Sequence, residues 1–420
     1  MKIQTTETYM TTSSITQNKS FIIFSRFVGK DQVYITASVT DKNADPVSTF
    51  SEMYADIIGF LKQEKMILVS ERIFGSLSYY PAINNLRNSI IQNNGINAEQ
   101  PFTYIQGQPC WGNGIAGIQI TAIADEENNK VITIYENGIP VGRKWSRHGT
   151  SFIMLQSIYN SLISEKQNVN RKQQASGMFG RVQKLLNEHS AAYHNVVRTW
   201  IYLADILDWY PEFNEARNSK YIEYGFFSEQ PVDGETEQIY LPASTGISGL
   251  NPFKAASIMD VLAIVPRSNN CLKICQMSGT EQRSPFRYGS AFSRAIKINE
   301  PDKITILLSG TASIDKDGKT LFKEEPKSQI SKTLEIICSL IREEGADLND
   351  ISSATVFFKR PEDLVIYREI MAEQGLNCLP VVCVIADICR NDLLFEIDAT
   401  VTFELVKSGI EKNLEIKKST

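Results

Sequence analysis

Apolar and polar positions along this chain alternate in two rhythms, and the order in which those rhythms follow one another occurs three times. Strand-like runs open each round at 32–39, 151–158 and 303–309. A helical rhythm follows at 49–65, 174–186 and 329–344. Met53, Ile57, Ile58 and Leu61 fall on one helical stripe, as do Leu334, Ile337, Cys338 and Ile341, so each first helix offers an apolar face to a sheet. A short strand comes next (69–74, 196–203, 353–358), then a second helix led by proline (81–93, 211–224, 361–374). Each round closes on two strands: a run behind Pro101, Pro242 or Pro380, a Gly-rich or polar interruption, and a last strand ending in Ala122, Ala263 or Ala399. Self-similarity at this period marks tandem structural units. The order of strands, helix, strand, helix, strand, strand predicts an α+β fold repeated three times.

The length of 420 residues accommodates three units of ordinary domain size. They read as 1–125, 149–265 and 294–406, with connectors at 126–148 and 266–293 and a tail at 407–420. Within the first connector, 131–135 reads as a short strand; 225–238 reads as an acidic, glycine-containing insertion in unit two. A hydrophobic share of 42% with 22% charge is a globular composition. The net charge of −5, and the absence of a basic stripe interleaved with aromatics, argue against a nucleic-acid partner. No apolar run approaches the ~18 residues of a membrane span, and the first residues lack the apolar core of a signal peptide, so no membrane partner and a cytoplasmic location are expected. The seven cysteines are scattered, mostly inside apolar elements, and read as reduced thiols. Cys271 and Cys275 are close in sequence but have no histidine nearby, so no metal is expected. His148, His189 and His194 sit in no context that predicts nucleophilic catalysis.

The unit order, with Leu307-Leu-Ser-Gly-Thr-Ala312 and with Leu379-Pro380 followed by Asp392-Leu-Leu-Phe-Glu-Ile-Asp-Ala399, resembles the RidA/YjgF family, also called L-PSP endoribonucleases. That resemblance implies chorismate-mutase-like α+β modules that assemble as trimers with ligand clefts between neighbours. Three such modules in one chain imply an intrachain pseudo-trimer that is monomeric. The deaminating members resemble one another in an Arg two positions after the proline and a Glu on the last strand. Here the first position holds Thr103, Ser244 and Val382, and the second Gln119, Asp260 and Glu396. No unit therefore offers that guanidinium for a substrate carboxylate, which speaks against ordinary imine deamination.

The C-terminal two thirds also resemble chorismatases, in order, through Arg198-Thr-Trp-Ile-Tyr202, Asn214 and Arg217, Leu241-Pro-Ala-Ser-Thr245, Tyr288-Gly289 with Phe292-Ser-Arg-Ala295, Ser309-Gly-Thr-Ala-Ser313 and Asp387-Ile-Cys-Arg390. The resemblance implies cofactor-independent removal of an enolpyruvyl side chain as pyruvate from a small cyclic carboxylate. The segment 276–281 departs from it, lacking the Tyr and Pro that chorismatases carry there.

Such chemistry needs an acid that protonates the enol methylene, and a carboxyl desolvated on a half-buried strand suits it. Glu396 is the candidate, sharing a sheet face with Leu394 and Asp398; the plain alternative is a strand glutamate exposed at a domain contact. Cys389 is implied by the resemblance to touch the substrate ring, or else packs as a small hydrophobe. Arg294, Arg198, Tyr202 and Tyr288 supply cations and phenols for a carboxylate, Arg390 is a further candidate, and Gly310 and Ala312 leave room for a ring or for close strand packing. Arg198 either faces a cleft or pairs with Asp205 or Asp208. Two other readings stand beside this one: a RidA-type deaminase, and a non-catalytic module binding a small metabolite.

Overall fold

The computed structural model describes residues 13–96, 99–126, 130–160, 169–228, 239–266, 272–278, 289–376 and 379–405. Unit one contains β1 (Ser13–Gln17), β2 (Phe21–Val28), β3 (Gln32–Val39), α1 (Pro46–Gln63), β4 (Met66–Gly75), α2 (Tyr80–Asn93), β5 (Thr103–Gln106) and β6 (Ile115–Ala124). Unit two contains β7 (Ile132–Glu136), β8 (Ile139–Arg147), β9 (Thr150–Ile158), α3 (Arg171–Glu188), β10 (Val196–Leu203), α4 (Ile206–Glu223), β11 (Ala243–Ser248) and β12 (Ser257–Val265). Unit three contains β13 (Lys273–Met277), β14 (Ala295–Asn299), β15 (Lys303–Ala312), α5 (Pro326–Arg342), β16 (Ile351–Phe358), α6 (Asp363–Glu373), β17 (Val381–Ile385) and β18 (Phe395–Glu404).

Each unit builds one six-stranded sheet, and the three sheets have the same strand order: β1-β2-β3-β6-β4-β5, β7-β8-β9-β12-β10-β11 and β13-β14-β15-β18-β16-β17. In each, the edge strand β5, β11 or β17 is parallel to its neighbour β4, β10 or β16, to which the second helix joins it, and the other pairs are antiparallel. The spans 126–148 and 266–293 are thus more than connectors, because β7 and β8 extend the sheet of unit two and β13 is the edge strand of unit three. Their polar, turn-rich composition hid this: one face of an edge hairpin meets solvent, as Ile132, Tyr135 and Ile139 do. The second helix of unit two also starts earlier than Pro211, with a break at Trp209 just ahead of that proline. The insertion at 225–238 lies mostly outside the described residues.

Local chemistry sets the helix starts. Asp45 caps α1 by accepting from the Ser48 amide at 2.8 Å, with Pro46 in the first turn. Asn170 and Gln173 form a reciprocal capping box on α3. The apolar stripe of each first helix then covers one face of its own sheet, giving each unit a private core. The other sheet faces pack against one another in a fourth apolar cluster drawn from all three units, with Phe74 and Ile105, Phe152 and Trp200, and Leu307 and Phe357 among its members. Three units packed by corresponding faces around a common centre form the expected intrachain pseudo-trimer. Among the described residues no helix is long and apolar enough to cross a membrane.

One buried polar cluster ties all three units together. Arg147 of unit two pairs with Asp31 of unit one at 3.2 Å and with Glu300 of unit three, and donates to Gln32 at 2.9 Å. Lys303 of unit three closes the ring by pairing with Asp31 at 3.2 Å. Removing one member of a buried ionic cluster leaves its partners uncompensated, which typically costs about 3–5 kcal/mol. We expect Arg147→Met to lower the free energy of unfolding by that order in urea melts, whereas an exposed pair such as Lys172–Glu215 contributes less than about 1 kcal/mol.

Candidate active site

The seam between units two and three collects the acidic and basic groups that the sequence singles out. Glu396 and Asp398 alternate on β18 and face that seam. Opposite them, β15 carries a bulge: Leu308 pairs with Ala399, yet Thr311 pairs with Ile397, so an extra residue is accommodated at Ser309 and Gly310. A Cβ at Gly310 would lie 2.2 Å from Oε1 of Glu396 and 3.3 Å from the Thr245 methyl. A side chain here would have to displace the Glu396 carboxyl, so glycine lets that carboxyl lie over the strand against unit two.

Glu396 is 5% exposed. Burial pushes its carboxyl up to about 8, with the neighbouring Asp398 charge acting in the same direction and Arg198 opposing both. Asp398 is held across the seam: Nη2 of Arg198 lies 3.2 Å from its Oδ2, and Thr245 donates to the same oxygen at 2.7 Å. Arg198 also donates to Thr245 Oγ1 at 2.6 Å and to the Thr199 carbonyl at 2.8 Å. Burial lowers its guanidinium to about 10, which leaves it charged at neutral pH. The site thus holds a fixed anion beside a carboxyl that keeps its proton, an arrangement suited to general acid chemistry.

Next to this pair sit Cys389 and Tyr210. Burial pushes the Cys389 thiol up to about 12, with the Glu396 charge adding to it, so it is a thiol rather than a nucleophilic thiolate. Tyr210 is likewise raised to about 12 by burial, and its hydroxyl is hydrogen-bonded with Ser290. Arg217 on α4 is 1% exposed; its Nη2 donates to Asn214 at 2.6 Å, while Nε is buried with no hydrogen-bond partner among the described residues. The Phe292 ring has Arg217 Cζ at 5.8 Å and Arg294 Cζ at 5.9 Å. Two guanidiniums, one from unit two and one from unit three, therefore share one aromatic ring at this seam.

Of the expected site residues, the fold gathers Glu396, Cys389, Arg294, Arg198 and Gly310 around this seam. Ala312 is the cross-strand partner of Glu396, and its methyl belongs to the shared apolar core. Tyr202 instead faces units one and two, where its hydroxyl bonds with Arg72 and burial raises its pKa. Arg390 donates to the Gly318 carbonyl. Tyr288 lies outside the described residues. Arg198 pairs with Asp398, while Asp205 and Asp208 bind Arg171 at 2.8 and 3.5 Å.

The correspondence between last strands also changes. A bulge residue on β4, β10 and β16 lies opposite Ala122, Ala263 and Val401, and continuing each ladder places Gln119, Asp260 and Asp398 in equivalent positions. Thr103 donates to Asp260 at 2.5 Å just as Thr245 donates to Asp398. Glu396 is therefore one pleat further along than its expected counterparts. A two-residue offset keeps a side chain on the same face, so the apolar pattern could not reveal it. Tyr210 and Thr245 carried no such signal either; Arg217 did, as a charged residue on the inner side of a helix.

Residues 286–403 match the family model described as Endoribonuclease L-PSP. Unit three is an L-PSP module. A RutC family protein of Pyrococcus abyssi is 29% identical over 109 residues, which is 26% of this chain and 83% of that protein. A crystal structure of a chorismatase superposes with a TM-score of 0.57 at 18% identity, covering 80% of this chain and 92% of its own. A YjgF/YER057c/UK114 family protein of Mycobacterium tuberculosis aligns with 31% of this chain and 98% of its own, at 19% identity and a TM-score of 0.25. The L-PSP match and the chorismatase superposition agree on tandem RidA-like modules, with a chorismatase-like fold across most of the chain.

The raised carboxyl has a consequence for stability. Folded Glu396 holds its proton more tightly than the unfolded chain does, so protonation favours folding. Its contribution is full below about 4.5 and is lost as pH rises through about 8. Relative to Glu396→Gln, the wild type should lose stability across that window and run parallel to it outside, as read by denaturant melts at stepped pH. Gly310→Ala should displace the carboxyl or destabilise the fold by about 1–3 kcal/mol, the usual cost of overpacking.

Proposed function

We propose that the seam between units two and three is an active site that removes the enolpyruvyl group of a cyclic enolpyruvyl carboxylate, chorismate being the leading candidate, as pyruvate. The observation that carries this reading is a buried Glu396 with a raised carboxyl beside the fixed Arg198–Asp398 pair, with Arg217 and Arg294 about the Phe292 ring at the same seam. The chorismatase-like fold supports it.

In this reading Arg217 and Arg294 receive the substrate carboxylates, for which planar guanidiniums are suited. Glu396 donates its proton to the terminal methylene carbon of the enol ether, making a methyl group and an oxocarbenium centre. The carboxylate left behind and Asp398 stabilise that positive charge. Water adds to the cationic carbon and returns a proton to Glu396. The resulting hemiketal then breaks its bond to the ring oxygen, giving pyruvate and a ring alcohol, with no net redox change. A ring hydroxyl in reach can replace water as the captor. The Cys389 thiol, kept protonated, supplies a wall for the ring rather than a nucleophile.

The decisive experiment follows pyruvate release from chorismate by the purified protein. Glu396→Gln should lower kcat by about 10²–10⁴-fold, the usual worth of a positioned acid. The wild-type rate should fall as pH rises through about 8, since the acid must be protonated. Ammonia from an imine substrate would instead support deamination, and thermal stabilisation by chorismate without any turnover would support a binding module.

A further inference from the structure

The three inner sheet faces enclose a second feature, a cavity of about 90 Å3 lined by residues of all three units. A single water needs only roughly 10–15 Å3 of such space, so the cavity has room for a small molecule. Its unit-two wall is apolar and aromatic, with Trp145, Phe152 and Trp200, whereas Ser70 and Thr121 of unit one and Ser353 of unit three present hydroxyls. None of these residues belongs to the seam that holds Glu396.

Arg72 lines this cavity and makes no ion pair within 4 Å among the described residues. Its guanidinium stacks on Trp200 at 4.2 Å, and Arg198 lies near the same indole at 4.6 Å. Arg198 is neutralised by Asp398 and Arg147 by Asp31 and Glu300. Arg72 is bonded to the Tyr202 hydroxyl, but its Nη1 is buried without a hydrogen-bond partner among the described residues. Asp260, whose charge reaches Arg72, accepts from Thr103 at 2.5 Å and from the Ser157 amide at 2.9 Å on Oδ1, while its Oδ2 is buried without a hydrogen-bond partner among the described residues, so no bond joins it to Arg72 Nη1. An unmade bond on a buried charged donor is costly, and a ligand that supplies an anionic oxygen there recovers the loss.

We propose that this axial cavity is a binding site for a small monocarboxylate, with Arg72 receiving the carboxylate and the aromatic wall receiving the apolar end. The test is tryptophan fluorescence of the full chain titrated with acetate, against the same concentrations of acetamide and of sodium chloride. Trp145 and Trp200 line the cavity and report directly. Acetate should give a saturable change that neither control reproduces. Arg72→Met should raise the half-saturating concentration at least about tenfold, as expected for loss of a charge-assisted hydrogen bond. Thr121→Leu, which fills the cavity from another wall and keeps Arg72, should do the same, and it decides the matter if the arginine variant does not fold. No saturable response in the wild type overturns the proposal, as does an equal response to acetamide or chloride, or an unchanged midpoint in Thr121→Leu. Because the readout is binding of acetate, it is independent of whether the Glu396 seam turns over.

Discussion

Asp398 reaches from unit three to Arg198 and Thr245 of unit two, and the local architecture of the seam rests on that contact. A buried ion pair contributes little net stability once the desolvation of both charges is counted. Its worth lies in position. With its Oδ2 shared between a guanidinium and a hydroxyl, Asp398 has one arrangement, and its charge is fixed two residues from Glu396. Burial, with that charge so close, raises the Glu396 carboxyl. Arg198 opposes the rise without reversing it, and Glu396 keeps the proton. The Gly310 bulge completes the arrangement, because a side chain there would occupy the space of the Glu396 carboxyl.

This dependence explains what was legible in the sequence. Periodicity reports which face of an element is apolar, so the three-fold order of strands and helices was visible, and β10 was bounded correctly at both ends. It reports nothing about partners that meet only after three sheets have packed. Arg198 was recognisable as a charge inside an apolar strand, yet its partner lies 200 residues away on another unit. Nearby Asp205 and Asp208 were closer in sequence but belong to a different surface, where they bind Arg171. Edge strands were the other loss: 131–135 read as a short strand, but β8 and β13 lay in spans read as connectors, where polar turns look like a linker.

Covalent fusion of three modules frees each seam from the symmetry of a homotrimer, and the equivalent positions Gln119, Asp260 and Asp398 show how far the seams have diverged. Gln119 donates to the Ala354 carbonyl at 2.7 Å and accepts from Thr355 at 3.3 Å, which makes that contact a neutral hydrogen-bonded joint. Asp260 accepts from Thr103 and from the Ser157 amide, and burial raises it to about 6 against the opposing charge of Arg72. Asp398 alone among the three has both the ion pair and a glutamate one pleat away. A neutral amide cannot hold a neighbouring carboxyl in its protonated form by charge, and the pleat positions flanking Gln119 and Asp260 that correspond to Glu396 hold Gly117 and Ile258, which have no proton to give. The arrangement suited to acid chemistry is therefore found at one of these three positions. The other two seams retain the hydrogen bonds that keep the units in register.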